Sequence, residues 1–209
     1  MGIFSNIFGS NKKTVSPEIE KIFKKIGKCL TDEEFQNTLM PDALQQIVNK
    51  NSAVDELPDA SGEFGKCLEN PIPVNGPIGE VIYLSNIVTD AGERIFAHRL
   101  GSKDGIDIFE TVSFDGTSWD ILFFYFYYPR KSKKIPNGYK PGNPSQRSIY
   151  ATNQKSNDFP KNMVNEIRQT FNDFFGISLI HPDVRLSIEK YTYVRPENHI
   201  KKLIYINIK

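Results

Sequence analysis

The hydrophobic pattern changes period several times along the chain, and each change predicts an element. In residues 17–28, Ile19, Ile22, Phe23 and Ile26 recur at helical spacing with lysines on the other side. Ser16 suits the cap of this helix and Pro17 its first position, where a missing N–H costs nothing. A second helix is expected from Thr31, which forms a capping box with Glu34. Its stripe runs through Phe35, Leu39, Leu44, Ile47 and Val48, with a step near Pro41. From about 52 to 79 the chain is dense in Pro and Gly and reads as a surface wrap anchored by Ile72 and Val74. Four strands are then expected in meander order, at 80–89, 94–100, 106–113 and 119–128. Along the second, Ile95, Ala97 and Arg99 alternate with Phe96, His98 and Leu100. Asp115-Gly116 is a strong hairpin signal because both residues tolerate positive φ. A helix follows at about 159–175, ended by Gly176. A β-hairpin is expected to close the chain, 184–194 with 201–208, turning at Pro196-Glu197-Asn198.

The fourth strand breaks the rule of alternation. Residues 119–128 hold seven aromatics and one charge, so both of its faces need cover. The expected fold is therefore α+β: an antiparallel β-meander with a central aromatic strand, packed against helices, plus the C-terminal hairpin. Residues 1–51 form an N-terminal helical segment and 52–209 the α+β domain, together one compact unit.

Charge adds a second layer. The formal net charge is +1, yet residues 29–128 sum to −12, while 1–28, 129–182 and 183–209 sum to +4, +6 and +3. Acidic and basic segments may thus pair within the fold or face partners of opposite sign. Residues 129–157 carry seven basic residues and no acid, in a loop rich in Pro and Asn. Where the aromatic strand runs into it, Tyr127, Tyr128, Arg130, Lys131, Lys133, Lys134 and Tyr139 are the candidate partner-binding residues, suited to an acidic protein surface. Basic residues beside aromatics also suit single-stranded nucleic acid, but the chain is not basic overall and carries no RRM, KH or OB signature, so that reading ranks lower.

Catalytic and metal signatures are missing from the sequence. It has no GxSxG, P-loop or GxGxxG pattern, and its three histidines, His98, His181 and His199, stand far apart without zinc spacing. No catalytic residue, metal or cofactor is assigned. The enzymatic alternative is an unfamiliar site around His98, Asp107 and Glu110, which the meander places on adjacent strands. Cys29 and Cys67 form neither a metal motif nor a disulfide framework, and Cys29 reads as a structural thiol. No apolar run approaches the roughly 20 residues of a membrane span. Residues 1–8 lack a secretory layout, and Asn6 breaks the myristoylation pattern; Ile3, Phe4, Ile7 and Phe8 fall on one helical face.

Asn70-Pro71-Ile72-Pro73-Val74-Asn75-Gly76, Gly79-Glu80 and Tyr83-Leu84 resemble a signature of uncharacterised bacterial proteins. His98-Arg99-Leu100-Gly101-Ser102, Phe114-Asp115-Gly116, Trp119-Asp120-Ile121-Leu122, Pro129-Arg130-Lys131-Ser132 and Gly138-Tyr139 continue it. The resemblance covers about a third of the chain and brings no assigned chemistry. It implies a bacterial, cytoplasmic setting. The expected function is a non-enzymatic protein-binding module, for example an immunity or accessory protein for a toxin or secretion system.

Overall fold

The computed structural model describes residues 16–143 and 148–206. The apolar face at Ile3, Phe4, Ile7 and Phe8 and the last residues of the expected C-terminal strand lie outside the described residues.

Helix α1 (Pro17–Thr31) is capped by Ser16, whose hydroxyl accepts from the Ile19 N–H. It buries Ile26, Cys29 and Leu30 in the main core, alongside α5 residues such as Ile167 and Phe171. Thr31 closes this helix rather than opening the next, donating its hydroxyl to the Gly27 carbonyl at 2.9 Å. The cap of α2 (Glu33–Asn37) is Asp32, which accepts from Phe35 N–H at 2.9 Å. A short α3 (Asp42–Val48) follows Pro41.

The main sheet has the order β1-β5-β4-β3-β7. Its antiparallel part is β3 (Ile95–Lys103), β4 (Ile106–Ser113) and β5 (Trp119–Tyr125), joined in sequence order. Asp104 and Gly105, both at positive φ, make the tight β3–β4 turn. Its margins are two-residue strands, β1 (Ile72–Pro73) and β7 (Ala151–Thr152), each paired parallel to its neighbour. The aromatic strand β5 is interior, but the central strand is β4. A second, small sheet pairs β2 (Ile87–Thr89) with β6 (Tyr139–Pro141).

Two expected strands are helices. Residues 80–89 were expected to open the meander; instead α4 (Gly76–Asn86) runs through most of them and only β2 is extended. Nine of its eleven residues are buried, so the helix is apolar nearly all round and shows no stripe to distinguish it from a strand. Gly76, at φ 69, starts it with a Met40 side chain packed against the space a Cβ would need. The C-terminal hairpin is replaced by α6 (Pro182–Lys190) and α7 (Glu197–Ile206). His181 caps α6 and Pro182 begins it; on α7, His199, Leu203 and Ile206 point inward at helical spacing. The expected 159–175 helix begins at Met163, as α5 (Met163–Phe175), and ends at left-handed Gly176.

Strand alternation divides the sheet chemistry into two faces. One carries Ile108 and Glu110 with Ile121, Phe123 and His98, and α7 covers part of it through Leu203 and Ile206. The other carries Asp107, Phe109 and Phe124 with Arg99. Here Tyr83 of α4 packs edge-on against Phe124 at 5.7 Å.

Candidate functional site

Asp107 and Glu110 stand three residues apart on β4, so the pleat sends them to opposite faces. The residues His98, Asp107 and Glu110 therefore do not form one site. Glu110 faces His98 across the strand pair, and Asp107 pairs with Arg99 on the reverse side.

Buried Glu110 is an acceptor with every direction filled. His98 Nε2 lies 2.8 Å from one oxygen and His199 Nε2 2.9 Å from the other. Arg195 grips both oxygens, at 2.6 Å from Nε and 2.9 Å from Nη2. The Ser156 N–H donates to His98 Nδ1 at 3.0 Å, which leaves the Nε2 proton for Glu110. Phe159 stacks on the His98 ring at 4.1 Å, and the Arg195 guanidinium lies over Trp119 at 5.2 Å. Burial alone would raise the Glu110 carboxyl, but the hydrogen bonds from His199, His98 and Arg195 outweigh it and hold the carboxyl far below its ordinary range. The result is a clasp fastening α7 and the residues before it to β4. Neither cavity described below is lined by these residues, and a carboxylate with four donors has no free lone pair for a substrate.

The basic loop is folded against the acidic segment. Arg130 donates to Asp55 at 2.7 Å, Lys131 to Glu33 at 2.9 Å and Lys134 to Glu56 at 2.6 Å. Lys133 contributes its backbone N–H to Asp55, and its side chain is exposed. Tyr139 is buried on β6, with its hydroxyl 3.0 Å from Thr111 Oγ1 and its ring under Lys66, so it offers no surface contact. Tyr127 and Tyr128 are half-buried, their rings 5.0 and 6.0 Å from Tyr125. Truncating Lys134 or Arg130 to alanine is expected to cost only about 0.2–1 kcal/mol, because these pairs are partly exposed. Urea unfolding at low and high salt checks this; a large, salt-independent loss contradicts it.

The most chemically varied hollow in the fold opens on the Asp107 face. A cavity of about 210 Å³ lies between Pro77 of α4, Phe126 and Tyr127 after β5, and Arg99, Ser102 and Asp107 of the β3–β4 pair. Arg99 Nη2 lies 2.9 Å from Asp107 Oδ1 and Nε 2.7 Å from Oδ2, and Ser102 also donates to Asp107. One helical turn from Pro77 stands Glu80, fully buried, with neither carboxyl oxygen hydrogen-bonded among the described residues. Burial and then the nearby Asp107 push its carboxyl well above the ordinary range, against the opposing pull of Arg99. A second cavity, about 360 Å³, lies beside α6 between Arg94, Phe114, Asp183, Leu186 and Tyr191.

Comparison with known proteins returns no match: no family model, no curated protein and no solved structure is similar to this chain. The site must therefore be argued from its own geometry.

Sequence reasoning missed Glu80, Arg195 and His199 as members of polar clusters. Glu80 was assigned to a strand, and the other two to a hairpin and its turn. The signals available were Pro182 and Pro196, both placed where helices start, and the i, i+4, i+7 spacing of His199, Leu203 and Ile206. Among the described residues no group of three His, Cys, Asp or Glu side chains is arranged to hold a metal ion. No described helix is long and apolar enough to cross a membrane. Both cysteines are free thiols. Burial pushes the Cys29 thiol up to about 12, despite the lysines Lys131 and Lys25 nearby. In the native protein, alkylation at mildly alkaline pH is expected to reach half-buried Cys67 and spare Cys29, with both modified after denaturation. Peptide mass mapping reads the outcome, and native modification of Cys29 overturns it.

Proposed function

We propose that the protein is a non-catalytic module that binds another protein, and that the outer side of the C-terminal helices is its docking face. The observation that carries this reading is where apolar surface is left uncovered. Of the nine large apolar side chains that stay exposed among the described residues, six lie between 186 and 205. They include Leu186 at 60%, Val194 at 70%, Ile204 at 72% and Tyr205 at 90% exposure. Ile200 and Ile204 share a face of α7, one turn apart, beside Lys201 and Lys202. Concentrated apolar exposure rimmed by charge is the mark of an interaction surface. The lysine rim suits a partner with an acidic border around an apolar groove. An immunity or accessory role toward a bacterial toxin or secretion component is the concrete form of this reading.

The filled acceptor at Glu110 supports a non-catalytic role, since the histidines beside it serve the fold. The internal pairing of Arg130, Lys131 and Lys134 moves the expected contact away from the basic loop. Quantitative pull-down from bacterial lysate is expected to retain a defined protein with the wild-type chain and to lose it, by about tenfold or more, with Ile200→Glu/Ile204→Glu, the effect of an interface hot spot. Retention of the same proteins by both chains, or of none by the wild type, contradicts the reading.

A further inference from the structure

We propose that the cavity at Arg99 and Asp107 is a binding site for a primary ammonium group on a short alkyl chain, either a free small amine or a lysine side chain. The site is separate from the docking face on α7 and does not depend on it.

The argument starts from charge. Two carboxyl groups, Asp107 and Glu80, meet here with one guanidinium, Arg99. Those are the charged groups that face Glu80, and α4 carries no other charged residue. Arg99 already lies against both oxygens of Asp107, so the cluster is one positive charge short whenever Glu80 ionises. A buried carboxyl without a hydrogen bond is costly and rare, and its presence asks for a partner. Without a ligand the proton itself supplies the missing charge, and burial favours that neutral form.

The cavity is shaped to deliver a better partner. Its floor is Asp107, which retains acceptor directions beyond those used by Arg99 and Ser102, since a carboxylate offers about four. Its walls include Phe126 and Tyr127, whose rings suit an alkyl chain and attract a cation over their faces. A volume of about 210 Å³ admits a chain of a few carbons and excludes a bulky ligand. Once an ammonium sits at Asp107, two carboxylates balance two cations. Glu80 then gives its proton to solvent, and binding is coupled to release of one proton.

Isothermal titration of the full chain with 1,4-diaminobutane and with Nα-acetyl-lysine amide tests this. Saturable binding of either probe is expected, with affinity rising about tenfold per pH unit while free Glu80 remains protonated, the slope for one linked proton. Glu80→Gln keeps the neutral shape, so it is expected to fold; it should bind at least tenfold more weakly at alkaline pH and lose the pH slope. Infrared spectroscopy should show a protonated carboxyl band that disappears on binding and is absent from Glu80→Gln. Binding of the diamine alone assigns a free amine, and binding of both probes admits a lysine side chain; either supports the site. No saturable binding, equal binding of a neutral diol of the same length, or an unchanged affinity and pH slope in Glu80→Gln overturns it.

Discussion

Glu110→Ala is expected to destabilise the protein by about 3–5 kcal/mol, the range for removing one partner from a buried ionic network. The loss follows from what stays behind. His98, Arg195 and His199 would keep their donors pointed at a cavity, and each unmet donor carries its own desolvation cost. Glu110→Gln retains the volume but turns an amide NH₂ toward donors, so it should recover only a small part. Urea unfolding measures both, with a fall in midpoint at constant slope as the expected signature. Acid gives an independent check. The carboxyl is held below its ordinary value of 4.5 in the fold, so its stabilisation is complete above that pH and is lost as pH falls. Wild type should therefore weaken more steeply in acid than Glu110→Ala. Parallel pH profiles for the two proteins contradict the clasp.

The second large effect is in the aromatic strand. Phe124 is fully buried and meets Phe109 edge-on at 5.3 Å and Tyr83 at 5.7 Å. Phe124→Ala is expected to cost about 3–5 kcal/mol, combining lost transfer energy with an unfilled cavity. Phe109→Ala should cost a similar amount, yet the double variant should fall short of the sum by about 0.5–1.5 kcal/mol, the value of an aromatic pair. Strict additivity in denaturant unfolding would show that the two rings do not couple.

These two sites also show what the sequence allows one to read. Around the Asp115-Gly116 turn, period-two alternation placed His98 beside Glu110 and Arg99 away from them. That geometry is local and legible. Alternation fails at α4, because a helix buried on almost every side has lost the polar face that marks its period. It fails again at 184–208, where β-branched and aromatic residues imitate strands although Pro182 and Pro196 sit at helix starts. His199 reaches Glu110 across 89 positions and Arg195 across 85, distances that no local pattern encodes. The segregation of charge left two outcomes open, and the pairs from Arg130, Lys131 and Lys134 to Asp55, Glu33 and Glu56 take the intramolecular one for this loop.

The short margins of the main sheet have a consequence for how copies of this protein meet. An incoming strand needs a run of unpaired backbone groups to build on. Here β1 supplies two residues, one of them Pro73 with no N–H to offer. Beside it, the Ile121 N–H is taken by the Asp120 side chain and the Phe123 N–H by the Gly65 carbonyl. At the other margin β7 is equally brief. Fibril-type growth through the backbone thus finds almost no template, and the molecule can display greasy helical surface at its C-terminal end without seeding cross-β assembly.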